Sequence, residues 1–322
     1  FAGANIFYDS LLPSVAPEHR LEAVSSLGYA MGYLGGGLLF LLGVVMTLTP
    51  AAFGLPDAAA AVRWTFVLVA LWGGGFTLLT ARWVPEPPRL PAAGPAAPAA
   101  PSGWRQVIRT FRDLRRRPET LLFLLAYWCY IDGVDTIIRM AVDYGLSLGF
   151  SSRDLILALL MVQFIGFPAA LAFGRLGARW GVRRSLFLAI GAYMAITVAG
   201  AAMTHRTHFF LLAAAIALFQ GGIQALSRSY YARLIPPGQA AEYFGIYNMM
   251  GKFAAILGPT LMGTVGLAVR RLRMPPHPTP AEIQAVAESA TRAGILSVLV
   301  LFAAGAMLFY AAGRPPRHPP AP

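Results

Sequence analysis

Charged residues are scarce in this sequence of 322 residues. Asp, Glu, Lys and Arg together make up 12% of it, and Lys252 is the single lysine. Soluble globular domains contain about 25% of these residues. Apolar residues make up 57% of the chain and occur in long blocks rather than in alternation. The composition excludes an ordinary soluble domain and indicates a membrane protein.

Features of an enzyme or a metalloprotein are also lacking. The single cysteine, Cys129, lies inside an apolar block, so a disulfide framework is excluded and a core role is expected. His205 and His208 lie in a short turn with no acidic residue or cysteine beside them, so no metal site is predicted. A phosphate-binding loop of the Gly-x-x-x-x-Gly-Lys-Ser/Thr type is absent, which excludes ATP as the energy source, and no cofactor is expected.

The apolar blocks are long enough to cross a membrane as helices. A hydrocarbon core about 30 Å thick requires about 20 apolar residues in a helix. Such stretches recur eight times, at 26–49, 63–84, 120–142, 154–174, 184–204, 208–227, 243–269 and 291–312. We therefore predict an all-α, polytopic membrane helical bundle.

The net charge of +12 comes from arginines that collect between these stretches. Positive charge beside spans marks the cytoplasmic side, so we predict that 85–118, 174–184, 228–242 and the tail 314–322 are cytoplasmic and that the protein lies in the cell (inner) membrane. The connection 270–290 also carries three arginines but falls on the outer side by this count. Arginines beside spans pair with anionic lipid head groups, so membrane lipids are expected partners and nucleic acid is not.

An internal repeat indicates the architecture. Residues 7–38 align without a gap to 230–261, and both stretches lead from a short Leu-x-Pro loop into a glycine-rich span. Parallel repeats of six spans form the major facilitator fold. We therefore expect a fragment with eight of twelve transmembrane helices, in which about three spans and most of a fourth are missing from the N-terminus.

This repeat divides the chain into four parts. We predict the end of an N-terminal half at 1–84, a cytoplasmic linker at 85–118, a six-helix C-terminal half at 119–313 and a cytoplasmic tail at 314–322. The linker begins with a Pro/Ala-rich hinge. Its basic second part fits either a helix lying on the membrane surface or a solvated lead-in to the next span.

One span carries charges on a single stripe. Asp132, Asp135, Arg139 and Asp143 fall within a sector of about 80° at 100° per residue. Each charge at the membrane centre costs about 2.5 to 3.5 kcal/mol, so the stripe indicates a solute or ion pathway. Asp135 and Arg139 can neutralise each other at i,i+4 spacing. Asp143 approaches the outer end, where its charge can reach the interface.

With Arg139 paired to Asp135, no cation on this helix is left to pair with Asp132. Lys252 lies at nearly the same depth in another span, within about 4.5 Å along the membrane normal. We predict that the two meet across a cavity. Their ion pair either takes part in a transport cycle or only fixes helix register.

Three glutamines can bind a polar solute. Gln220 and Gln224 lie one turn apart, and Gln163 occupies another span. Their amides can hydrogen-bond a solute in a cavity or join neighbouring helices, and the sequence favours neither.

The connection between the fourth and fifth spans resembles the cytoplasmic loop signature of the major facilitator superfamily. The matching positions are Gly174, Leu176, Arg179, Gly181, Arg183 and Arg184. The resemblance implies a tight turn and a charged latch that gates the cytoplasmic side. Ala178 replaces the acidic residue of the signature and Val182 replaces a basic one, which puts the latch in doubt.

Longer stretches are similar to the vacuole-effluxer-like branch of that superfamily. They are FYDSLLPSVA, SSLGYAMGYLGGGLL, YIDGVDTIIRMAVDYG, QGGIQALSRSYYARLIP and GKFAAILGPTLMG. The resemblance implies twelve spans, and its yeast members are associated with release of amino acids from the vacuole. We therefore expect a monomeric secondary active transporter of a small polar solute, of which amino acids are one class.

The energy source and two other functions stay open at this point. Coupling to protons is a hypothesis that depends on Asp132 and Asp135, because a buried carboxylate can exchange a proton. A membrane-embedded enzyme acting on lipid head groups is the alternative from another class. A transporter fold that serves as a sensor or scaffold is the third.

Overall fold

The computed structural model describes residues 2–84, 103–147 and 150–313, which form helices without any strand. The first part contains α1 (Ala2–Ser10), α2 (Leu12–Val15), α3 (Leu21–Leu48) and α4 (Ala58–Trp83). The second part contains α5 (Gly103–Arg115) and α6 (Pro118–Ser147). The third contains α7 (Ser152–Trp180), α8 (Val182–Ala201), α9 (Arg206–Ala232), α10 (Ala240–Phe253), α11 (Leu257–Arg273), α12 (Pro280–Ser297) and α13 (Leu299–Ala311).

Eight helical segments of the described residues are long and apolar enough to cross a membrane, which confirms the predicted all-α membrane bundle. They are Glu18–Leu48, Ala58–Trp83, Pro118–Val142, Ser152–Trp180, Val182–Ala201, Arg206–Ala232, Ala240–Arg273 and Pro280–Ala311. The chain is therefore a multi-pass membrane protein.

Two of the predicted spans differ in detail from the observed helices. The stretch predicted at 243–269 is interrupted between α10 and α11, and the stretch predicted at 291–312 belongs to a longer segment that starts at Pro280. A capping box between Thr279 and Glu282 begins that segment. Most of the connection predicted at 270–290 is therefore helical, because charged residues continue a helix beyond the part that hydropathy detects.

The helices pack around an aromatic core within 119–313. Helix α6 packs against α13, α8 against α9, and α3 lies against both α7 and α9. The largest fully buried side chains include Tyr130, Tyr193 and Phe302. A Cβ atom added at Gly222 would lie 2.2 Å from the Phe173 ring, so α7 and α9 approach closely only because this residue is glycine.

Two helices lie at the edges of the bundle. Helix α4 packs against α3 and exposes large apolar side chains such as Phe66 and Leu78. Helix α5 comes from the basic second part of the linker, and its Thr110 and Leu114 are buried against the bundle. The predicted Pro/Ala hinge and the tail 314–322 lie outside the described residues.

Candidate functional site

The carboxylate of Asp132 caps a broken helix. Its side chain is fully buried, at 0% exposure. The backbone amides of Leu257 and Gly258 donate to its two oxygens at 3.0 and 2.8 Å, and Thr136 Oγ1 donates at 3.2 Å. These amides begin α11, and the residue at the N-cap position, Ile256, has no side-chain acceptor. Asp132 thus satisfies, from another helix, donors that a membrane interior would leave unpaired.

The close approach of α6 to the start of α11 requires a glycine. A Cβ atom at Gly258 would lie 1.8 Å from Thr136 Oγ1 and 2.7 Å from Asp132 Oδ1. Any larger residue would push the two amides away from the carboxylate. The break in the span at 254–256 frees the two amides that the buried carboxylate of Asp132 accepts hydrogen bonds from.

The charged stripe predicted on α6 has one partner that the sequence did not indicate. Asp132 does have a partner on its own helix, Thr136, because i,i+4 spacing places the hydroxyl against the carboxylate. Arg139 and Lys252 both interact electrostatically with Asp135, which is half-buried, whereas Asp132 binds backbone amides. The meeting of Lys252 with Asp132 stays a prediction. The side chain of Asp143 lies outside the described residues.

A polar cavity of about 500 Å³ lies between the first part of the chain and the helices of 119–313. Helices α1 and α3 form one side, and α6, α7, α9 and α10 form the other. Its lining residues are Asn5, Tyr8, Asp9, Gly28, Tyr29, Gly32, Tyr33, Tyr127, Gln163, Gln224, Arg228, Tyr247 and Asn248. Tyrosine, amide and charged groups therefore surround a space of the size that small ligands occupy.

An ion pair between Arg228 and Asp9 joins the two sides of this cavity. The guanidinium is 3% exposed, and its Nη1 donates to Asp9 Oδ1 at 2.9 Å. Its Nε donates to Ser25 Oγ and its Nη2 to the Ser25 carbonyl oxygen, both at 2.9 Å. Asn248 Nδ2 donates to the second carboxylate oxygen of Asp9 at 2.9 Å. Both charges are thus fully paired by good hydrogen bonds.

Two tyrosine rings stack around the same guanidinium. Its carbon lies 4.8 Å from the ring centroid of Tyr29 and 5.3 Å from that of Tyr8. Such cation–π contacts stabilise a desolvated cation by about 2 kcal/mol. Arg228 is therefore held from several directions by residues of α1 and α3.

Sequence reasoning missed this pair. Arg228 was assigned to a cytoplasmic connection, but α9 continues to Ala232 and buries it. The spacing of Gln220, Gln224 and Arg228 at four-residue intervals contained a usable signal, since it places them on one face of a helix. Asp9 carried no such signal, because its partner is more than 200 residues away in the chain.

The predicted glutamines are divided between two cavities. Gln224 lines the polar cavity, and Gln220 lines a neighbouring apolar cavity of about 370 Å³. Gln163 lines both, beside the close contact of α7 with α3 at Gly36 and Gly37. Of the residues that line the polar cavity, none belongs to the charged stripe of α6.

The residues of the loop signature form a turn and a helix cap. Gly181 has φ of +88° and lets α8 begin directly after α7. Arg183 donates to the carbonyl oxygens of Tyr310 at 2.9 Å and of Gly313. It therefore binds the end of α13 within the same predicted half.

The remaining signature residues have different surroundings. A Cβ atom at Gly174 would lie 2.7 Å from Ser26 of α3, and Leu176 packs against the core. Arg179 and Arg184 are exposed. Arg233 also contacts the first part of the chain here: it forms an ion pair with the buried Glu22 and donates to the Glu18 carbonyl oxygen at 3.2 Å.

Comparison with known proteins places the chain in a family. Residues 11–276 match the family described as vacuole effluxer Atg22 like. An uncharacterized MFS-type transporter, YxiO of Bacillus subtilis (strain 168), is 36% identical over 269 residues, covering 81% of this chain and 61% of that protein. Autophagy-related protein 22-1 of Penicillium rubens is 25% identical over 273 residues, covering 77% of this chain and 45% of that protein.

A solved structure of a bacterial homolog to the human lysosomal transporter Spinster, inward-facing and unoccupied, aligns with a TM-score of 0.42. The sequences are 18% identical, and the alignment covers 89% of this chain and 68% of that chain. The chain thus spans 61% and 45% of the two curated relatives described above. The family description and the name of the Bacillus relative describe transport and not an enzymatic reaction. From the match over 11–276, the chain belongs to the Atg22-like family of vacuole effluxers.

Proposed function

We propose that the protein is a secondary active transporter that moves a small polar solute across a membrane by alternating access. The observation that carries this proposal is the polar cavity of about 500 Å³ between the first part of the chain and 119–313. Sites at the interface of two transporter halves hold the solute while the halves rock about it. The family membership and the transporter name of the Bacillus relative support the same function.

The charges of the cavity favour a zwitterionic solute such as an amino acid. A guanidinium flanked by tyrosines is a receptor for a carboxylate, and Arg228 presents this group. Asp9, with the amide of Asn248 beside it, is a receptor for an ammonium group. In this structure the Arg228 guanidinium and the Asp9 carboxylate bind each other. A zwitterion can replace each partner of this pair with a group of the same charge.

This exchange also links binding to the movement of the halves. When the cavity opens on the side where Arg228 and Asp9 meet, these two buried charges separate. Leaving a buried charge without its partner costs about 3 to 5 kcal/mol. A bound zwitterion keeps both charges paired during the separation, so it lowers this cost. Glu22 and Arg233 form a second connection that must open with it.

For the residue that exchanges the coupling proton, we propose Asp135 rather than Asp132. Asp132 binds two backbone amides and serves as a helix cap, whereas Asp135 is half-buried beside Arg139 and Lys252. Exchange of a proton at Asp135 would change its attraction to both cations. Full pH-driven flux in both Asp132→Asn and Asp135→Asn proteoliposomes would contradict the coupling.

The placement of the protein is part of the proposal. The bacterial relative favours the cell membrane. The arginines of α5 and of the turn at Gly181 favour a cytoplasmic location for these parts and for the C-terminus. We propose that 119–313 is one half of a monomeric transporter and that 1–84 belongs to the other.

Uptake by the full-length protein in liposomes tests this function. We expect counterflow of a labelled zwitterionic amino acid, and no counterflow of its methyl ester or of a hexose, since both lack the carboxylate. Arg228→Lys should reduce counterflow at least tenfold, because lysine cannot form the same fork of hydrogen bonds. Arg184→Lys, at an exposed position on α8, is the matched control and should behave as wild type.

Two outcomes would overturn the proposal at different levels. If the folded wild-type protein moves no small polar solute of any class tested, a sensor or scaffold becomes the better explanation of the fold. Flux of an amino acid that Arg228→Lys leaves unchanged would keep the transporter and remove the assigned site.

A further inference from the structure

A second polar cavity lies where α5 meets the start of α10, and it is independent of the proposed solute site. Its volume is about 550 Å³. Four arginines line it, Arg109, Arg112, Arg116 and Arg117, together with two acids, Asp113 and Glu242. The lining therefore has an excess of two positive charges.

Both acids of the cavity are engaged in docking α5 onto the bundle. Glu242 accepts hydrogen bonds from Gln106 Nε2 at 2.5 Å and from Thr110 Oγ1 at 2.9 Å. Asp113 accepts from the Tyr243 hydroxyl at 2.7 Å. That hydrogen bond, more than any other contact, lowers the pKa of Asp113, so the carboxyl stays ionised and bound at neutral pH.

The arginines are largely uncompensated. Arg117 lies 3.5 Å from Asp113. The side chains of Arg109, Arg112 and Arg116 form no hydrogen bond or ion pair within the residues that the structure describes. Arg109 and Arg112 lie one turn apart on α5, and Arg116 follows directly after the helix ends at Arg115. Three guanidinium groups beside one cavity match the geometry and charge of a phosphate group.

The surroundings of the cavity favour a phosphate group that belongs to a lipid. Helix α5 leads directly into the span that starts at Pro118, and α10 begins the span that starts at Ala240, so the cavity lies at the end of two membrane spans. Val107, Ile108 and Phe111 are exposed on a different side of α5, at 40%, 56% and 41%. A helix with exposed apolar residues on one side and arginines on another lies at a membrane interface.

We propose that this cavity binds the phosphate of an anionic phospholipid head group. Arg109, Arg112 and Arg116 contact the phosphate, and the acyl chains extend along the apolar side of α5 into the bilayer. The hydrogen bonds that Gln106 and Thr110 donate to Glu242, and that Tyr243 donates to Asp113, hold α5 in the position that this contact needs.

Native mass spectrometry of the full-length protein in neutral detergent tests the site. The probes are phosphatidylglycerol, phosphatidylcholine and inorganic phosphate. We expect retention of at least one phosphatidylglycerol, with at least tenfold preference over phosphatidylcholine. A variant with Arg109→Gln, Arg112→Gln and Arg116→Gln should lose this preference. The matched control replaces Arg270, Arg271 and Arg273, three exposed arginines at the end of α11, with Gln and should keep it.

The outcomes separate the sources of the phosphate. Equal retention of phosphatidylglycerol by the variant and by wild type would overturn the proposal. If inorganic phosphate at an equal concentration displaces the lipid, the ligand of this cavity is a free phosphate anion and not a lipid head group. A photoreactive phosphatidylglycerol on the wild-type protein gives a measurement that needs no variant, since adducts must occur within 103–117 or 239–243. Adducts confined to other regions would refute the site.

Discussion

Replacing Asp132 by alanine should destabilise the protein at one identifiable place, the start of α11. The carboxylate receives two hydrogen bonds from the amides of Leu257 and Gly258 and one from Thr136. Hydrogen bonds to a charged group contribute about 1.5 to 3 kcal/mol each. Alanine abolishes all three, but it also removes the desolvation cost of a buried carboxylate. We therefore expect a net loss of about 2 to 4 kcal/mol.

Asparagine at position 132 should give an intermediate result. Its carbonyl oxygen can accept one of the two amide hydrogen bonds, whereas its NH₂ group can only donate and must face the other amide. We expect a loss of about 1 to 3 kcal/mol, smaller than that of alanine. Asp135→Asn is the matched control one turn away, since Asp135 is half-buried and accepts no backbone hydrogen bond among the described residues. Its effect should be smaller than that of Asp132→Asn, because no backbone amide of α11 loses its acceptor in this variant.

Thermal unfolding and hydrogen exchange of the full-length protein in detergent measure these effects. The order of melting temperatures should be wild type, Asp135→Asn, Asp132→Asn and Asp132→Ala, from highest to lowest. Exchange should accelerate at residues 257 and 258 in both Asp132 variants before it does elsewhere, because these amides lose their acceptor. Unchanged protection of these two amides in Asp132→Ala would refute the cap. A larger effect of Asp135→Asn would do the same.

Three further predictions concern separate contacts. Gly258→Ala should destabilise by about 1 to 3 kcal/mol through overpacking, because the new Cβ would lie 1.8 Å from Thr136 Oγ1; if Thr136→Ala restores none of the melting temperature, the clash is not the cause. Arg228→Met should cost about 3 to 5 kcal/mol by leaving Asp9 buried and alone, and adding Asp9→Leu should recover part of this in a double-mutant cycle, whereas additive losses would argue against coupling. The pKa of Asp113 is lowered from 3.8 in the folded state, so its contribution is complete at higher pH and is lost as the pH falls through the lowered value. Hydrogen exchange of α5 should therefore accelerate below about pH 3.8 in wild type but show no such step in Asp113→Asn.

Much of the fold could be predicted because a membrane imposes a local rule. Each span must satisfy its backbone hydrogen bonds internally and expose apolar side chains, so about 20 apolar residues in a row are enough to identify it. This rule applies residue by residue along the chain, and all eight predicted spans overlap observed ones. It does not detect interruptions, since hydropathy averaged over a span is unaffected by three residues such as 254–256.

The candidate site was only partly predictable. The stripe on α6 was recognised because four charges in one apolar helix are locally conspicuous, but local spacing could not assign their partners. Arg228 was placed in a connection because arginine usually ends a span, and its burial depends on Asp9 and Ser25 from distant parts of the chain. The arginines of α5 were recognised as basic, whereas their cavity depends on the contact with α10.

The sequence by itself determined that the protein is an all-helical membrane bundle with eight candidate spans, because hydropathy and helix length are local properties of consecutive residues. Only the tertiary structure decided which charges meet. Asp132 accepts hydrogen bonds from the amides of α11, and Arg228 binds Asp9. The reason is that a charge in a membrane takes the nearest group able to compensate it, and that group is set by how the helices pack and not by their order in the chain.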